Sequence, residues 1–123
     1  MYRTNAAMML ALVFGATAAL AQAPQASSPM RNVTKTLLAS EAQKECIALN
    51  DAQRLYYRYR ADGPLDFKIA HQEAGEVVDL RRTGAGNAAG SFAPDRSADY
   101  CLVWSNTGAR AVTLSYEFQR GPR

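Results

Sequence analysis

His71 is the only histidine of the chain, and Glu73 and Glu76 follow it closely. An imidazole beside two carboxylates could touch a metal ion or a polar ligand. One imidazole with two flexible carboxylates is a thin set for a transition metal, and the alternative is a solvent-facing histidine before a turn. Arg54, Arg58 and Arg60 alternate along one segment with Tyr56 on the same side. Such a row could form a strip that binds acidic glycans, lipid head groups or an acidic partner. The competing reading is a solvated sheet face paired with carboxylates such as Asp66 or Glu117. The glycine-rich stretch Arg81–Gly90 is not a phosphate loop. Its third glycine falls at position 90, one step late for Gly-x-Gly-x-x-Gly, and no Gly-Lys-Ser/Thr follows. Asp51, Asp62, Asp95 and Asp99 lack the dense alternation of a calcium loop. Gly-x-Ser-x-Gly is absent, and no acid–base pair stands out beside the lone histidine. The expectation is a non-catalytic protein with no metal and no cofactor.

Cys46 and Cys101 are the remaining reactive side chains, and their state depends on compartment. Met1–Ala21 reads as a secretory signal peptide. Arg3 gives a positive start, Ala6–Gly15 an uncharged apolar run, and Ala19-Leu20-Ala21 a small-x-small cleavage site before Gln22. The apolar stretch is shorter than the roughly 20 residues that span a bilayer. A periplasmic or secreted protein without a stable membrane anchor is expected. In that setting disulfides persist, and a single Cys46–Cys101 bond is the simplest outcome. It would close a loop of roughly 56 residues, for about 4 kcal/mol in the chain-entropy model. Gln22–Asn32 is rich in Pro, Ser, Ala and Gln and reads as a flexible leader, with the folded domain over 33–123. The formal charge of +3 falls to +2 once Arg3 is removed. That excess is too small for the basic footprint of a nucleic-acid binder.

The residues that would position these side chains follow a period of two. Leu55, Tyr57 and Tyr59 alternate with Arg54, Tyr56, Arg58 and Arg60; Leu65, Phe67 and Ile69 with Asp66, Lys68 and Ala70. Val112, Leu114, Tyr116 and Phe118 alternate with polar residues in the same way. These are half-buried strands. Tyr100–Trp104 is apolar on both faces, as a central strand would be. Glu76–Arg82 and Ser91–Ala93 read as shorter strands. Val33–Lys44 suits a helix by propensity; in an all-β setting it reads as a strand over Lys35–Ala39, a turn, then a strand over Glu45–Leu49. Turn residues at Ala61–Pro64, Glu73–Gly75 and Asn106–Gly108 separate the runs, a spacing that predicts an all-β sandwich or barrel.

The order of these features resembles the GOLD (Golgi dynamics) domain, a compact antiparallel β-sandwich found in cargo receptors of the early secretory pathway. The residues that carry the likeness are Glu45-Cys46, Leu55–Tyr59, Gly63–Ile69, Gly75–Val78, Gly90-Ser91-Phe92 and Tyr100–Asn106. They cover about Thr36–Gln119. The resemblance implies that Cys46 and Cys101 form the pair those receptors bridge, and that the fold serves protein–protein contact. Cargo sorting is not implied, because no coiled coil or second apolar span accompanies the pattern. The chain looks nearer to small exported bacterial proteins with a stand-alone GOLD-like domain. The expected function is binding of a protein or envelope component. The alternatives are a glycan- or lipid-binding jelly roll that uses Arg54, Tyr56, Arg58, Arg60 and His71, and a small secreted enzyme inhibitor that uses a loop at Thr83–Gly90.

Overall fold

The computed structural model describes residues 29–123. The signal peptide 1–21 and most of the leader lie outside the described residues. Eight strands follow in order: β1 Arg31–Leu37, β2 Ala42–Leu49, β3 Gln53–Ala61, β4 Asp66–Gln72, β5 Glu76–Arg82, β6 Asn87–Phe92, β7 Ala98–Ser105 and β8 Val112–Pro122. They form two four-stranded sheets, β1-β8-β3-β6 and β2-β7-β4-β5, with every pair antiparallel. The nested pairings β1·β8, β2·β7, β3·β6 and β4·β5 are those of one long hairpin rolled into two layers, the jelly-roll form of a β-sandwich. Among the described residues no helix is long and apolar enough to cross a membrane.

The alternation read from the sequence sets the two faces. Leu55, Tyr57 and Tyr59 of β3 and Leu114, Tyr116 and Phe118 of β8 point inward from one sheet; Phe67 and Ile69 of β4 and Tyr100, Leu102 and Trp104 of β7 point inward from the other. Trp104 is fully buried between Phe67 of its own sheet and Tyr116 of the facing one, with ring centroids 5.4 and 4.1 Å away. On β6 the inward positions opposite Tyr59 and Tyr57, Ala88 and Gly90, are small. A Cβ at Gly90 would lie 2.7 Å from the Tyr57 hydroxyl, so the glycine is what lets the tyrosine lie under that strand.

Two expectations are corrected. The first strand runs over Arg31–Leu37 and not Lys35–Ala39, and it takes in Arg31 and Asn32 from the expected leader. The long β8 offers a template there: Arg31 pairs with Phe118, Asn32 with Glu117, and Leu37 with Val112. Ladder hydrogen bonds therefore order residues whose composition alone suggested a linker. Ser40 takes a left-handed conformation (φ 67°) in the turn that follows. The glycine-rich stretch expected as a Thr83–Gly90 connection is loop only over 83–86, since β6 begins at Asn87 and pairs with β3. Asp66 Oδ1 accepts from the Gly84 amide at 2.9 Å, which ties that short loop to the body.

Asn106 is a buried polar residue that the sequence reading placed only in a turn. Its amide nitrogen donates to the carbonyls of Leu37 (3.1 Å), Leu38 (3.2 Å) and Arg110 (2.7 Å), and its oxygen accepts from the Gly108 amide (3.0 Å). One side chain thus fastens the β1–β2 turn to the β7–β8 connection. Asn106→Ala strands buried carbonyls, and we expect it to lower the stability by about 2 kcal/mol in urea titration, with the m-value unchanged.

Candidate functional site

The arginine row and His71 lie on different sheets. Arg54, Tyr56, Arg58 and Arg60 share the outer face of β3, whereas His71 sits on the inner face of β4 and is buried. The structure brings the first four together and separates the fifth from them.

On the outer face, cross-strand neighbours engage most of the row. Arg58 forms an ion pair with Glu117, which lies directly opposite on β8. Arg54 donates to Ser91 Oγ at 2.8 Å. Tyr56 donates its hydroxyl to the Pro122 carbonyl at 3.2 Å, and its ring edge fills the space that a side chain at Gly121 would take. Asp66, the other carboxylate considered as a partner, belongs to the other sheet. The Arg60 side chain makes no hydrogen bond or ion pair among the described residues. It borders a groove of about 490 Å³ across the middle of the sheet, lined also by Asn32, Arg58, Asn87, Ser115 and Glu117. Thr34 and Ser115 hydrogen bond beside it at 3.0 Å. One strand contributes Asn32, two give Arg58, Arg60 and Glu117, and the fourth gives Asn87, so the groove is built by the whole sheet.

His71 is not the solvent-facing histidine that the sequence allowed. The β4·β5 register slips between Ile69, which pairs with Leu80, and Ala70, which pairs with Val78. Asp79 is the residue left over, and a bulge of this kind re-aims a side chain. Asp79 Oδ2 lies 2.7 Å from His71 Nδ1, and Glu73 Oε1 lies 3.1 Å from Nε2. Both ring nitrogens donate together only in the imidazolium form. The hydrogen bonds to Asp79 and Glu73 accordingly raise the His71 pKa above its ordinary value, against the opposing effect of burial. The same contact with His71, helped by Arg96, holds Glu73 below the usual glutamate range. Arg96 pairs with Glu73, and its carbonyl accepts the Tyr100 hydroxyl at 2.8 Å. The Tyr100 ring packs 5.1 Å from the imidazole. Glu76, named with Glu73 as a ligand partner, is instead held by Lys68 at 2.7 Å. While both ring nitrogens donate, the ring has no lone pair to offer a metal. Among the described residues no group of three His, Cys, Asp or Glu is placed to hold a metal ion.

Sequence reasoning missed Asp79 and Arg96. The one signal for Asp79 was the broken alternation in Val77-Val78-Asp79-Leu80; nothing marked Arg96, whose role depends on how the β6–β7 loop packs. A second inward polar line was also missed. Lys35 donates to Gln43, Gln43 to the Tyr116 hydroxyl, and Tyr116 to Glu45, at 2.8, 2.8 and 2.7 Å. Burial and the Glu45 carboxylate push the Tyr116 hydroxyl up to about 12.

No protein-family model matches the chain, and no curated protein matches it. Among solved structures, a de novo designed double-stranded β-helix determined by solution NMR is similar at a TM-score of 0.43 and 15% identity, covering 72% of this chain and 97% of that one.

The His71 clamp makes stability depend on pH with a definite sign. A folded-state pKa raised above the unfolded value near 6.5 contributes stability fully below that value and loses it as pH rises through the folded pKa. The lowered Glu73 adds stability that is lost as pH falls through its folded value. Thermal melts of the wild type and of His71→Gln across pH 5–9 should therefore differ most near pH 5.5–6 and converge toward pH 9. A His71 ring that titrates below 6.5 by NMR would sink this account.

Proposed function

We propose that the protein is an exported, non-catalytic, GOLD-like binding domain that contacts a protein or envelope component through the outer face of the β1-β8-β3-β6 sheet. The observation that carries this reading is the polar groove on that face, with Arg60 at its border and no partner for it among the described residues. Arg54 and Arg58 are satisfied by neighbours, whereas the Arg60 side chain is presented to whatever fills the groove. Export is supported by the Met1–Ala21 pattern and by the Cys46–Cys101 disulfide. The sequence resemblance to GOLD domains favours a protein as the occupant. The groove's mixture of donors and acceptors is also the chemistry that polyhydroxylated envelope polymers require.

Immobilised, oxidised mature domain should retain a component of envelope extract, and Arg60→Glu should weaken that retention several-fold while leaving the melting temperature within a few degrees of wild type. Equal retention by the variant removes this face from the contact. Robust turnover of a substrate by the purified protein overturns the non-catalytic reading.

A further inference from the structure

The Cys46–Cys101 bond does not lie in the core. The two residues are directly opposite in the β2·β7 register, and their Cα atoms are 4.0 Å apart, the close spacing of a pair that exchanges no backbone hydrogen bonds. Both point to the outer face of the β2-β7-β4-β5 sheet. Cys46 is exposed and Cys101 half-buried. β2 is an edge strand of that sheet, and β7 lies between β2 and β4. A thiolate displaces sulfur in line with the bond it breaks. In-line approach to Cys46 Sγ comes from the open sheet edge. In-line approach to Cys101 Sγ would have to come across β4, where Ala70 is the residue paired with Cys101.

The neighbouring row of the same face is cationic. Lys44, Val103, Lys68 and Arg81 stand in register across the four strands, one same-face step, or about 6.7 Å, from the cysteine row. Lys68 is engaged by Glu76, while Lys44 and Arg81 are exposed. Positive charge in that row, nearest at Lys44 and Lys68 and farther at Arg81, stabilises the negative charge that develops on a departing sulfur.

We propose that this disulfide is a thiol–disulfide exchange site of the folded protein, attacked at Cys46 Sγ by a dithiol of the Cys-x-x-Cys or dithiothreitol class. The incoming thiolate forms a mixed disulfide with Cys46, and the Cys46–Cys101 bond breaks with its electron pair on Cys101 Sγ, which takes up a proton. The second thiolate of the reductant then attacks its own sulfur in the mixed disulfide. Cys46 leaves as a thiolate, and the reductant departs as its cyclic disulfide. Two electrons pass from dithiol to protein. Seven further residue pairs of the β2·β7 ladder join the same two strands.

The test is the reduction of native, oxidised protein by dithiothreitol at increasing sub-denaturing urea. Attack on the folded state should proceed at a rate that changes less than about twofold per molar urea. Reduction that requires unfolding would accelerate by about fivefold or more per molar, and that result overturns the proposal. Glutathione followed by a rapid N-ethylmaleimide quench identifies the attacked sulfur. Peptide mapping should find glutathione on Cys46 and maleimide on Cys101; the reverse pattern, or equal amounts, overturns it. The Lys44→Gln/Arg81→Gln double variant should react about threefold more slowly at low salt, and an unchanged rate overturns the role given to the cationic row.

Discussion

The contact on which the two-layer arrangement turns is the packing of Trp104 against Tyr116 across the interior. Trp104 projects from the centre of one sheet and is stacked at 4.1 Å on a tyrosine from the centre of the other, with Phe67 on its far side. Aromatic side chains carry the largest buried areas of any residues, so this stack sets the separation between the sheets. Tyr59 closes on Trp104 and Phe67, at 6.1 and 4.9 Å. The remaining aliphatic residues fill what these rings leave. Leu55, Leu102, Leu114 and Ile69 are fully buried around them. The outer faces are then free to vary, because nothing on them is needed to hold the layers together.

Much of this was legible in the sequence, and the reason is the period of two. Where one face is apolar, as in Leu55-Tyr57-Tyr59 or Val112-Leu114-Tyr116-Phe118, the pattern states both the strand and its inward side. It failed where pairing overrides composition. Arg31 and Asn32 look like linker and become strand because β8 extends far enough to pair with them. Asn87–Gly90 look like loop and become strand because β3 requires small residues beneath Tyr57 and Tyr59. The arginine row was placed on one face correctly, since alternation is local. The surroundings of His71 were not, because Asp79 reaches it through a register slip, and the broken alternation of Val77–Leu80 does not say which residue the slip re-aims.

The buried polar groups divide the ends of the molecule from its middle. Asn106 ties two connections together at one place; the His71 ring with its two carboxylates ties β4 to β5 and to the turn between them and, through Arg96, to the β6–β7 loop. Aromatic and aliphatic contacts hold the layers, and hydrogen-bonded polar residues hold the turns that link them. The disulfide belongs to neither group. It joins two strands already paired and lies on the outer face, whereas loop-closure entropy still credits it with constraining the unfolded chain.

The rolled-hairpin topology has a consequence for how the chain reaches this state. β1 pairs only with β8, and β2 only with β7. The loop that must close for β1·β8 is nearly as long as the domain itself, and that for β2·β7 more than half as long. Contacts of this range slow folding. A chain that emerges from its N-terminus can form the β4·β5 hairpin as soon as that hairpin is out, but the β2-β7-β4-β5 sheet stays open until β7 arrives and the β1-β8-β3-β6 sheet until β8 does. Until its partner arrives each of β1 and β2 is an unpaired edge, and the polar, charged composition of Arg31–Lys35 and Gln43–Glu45 keeps those waiting strands from pairing with other chains.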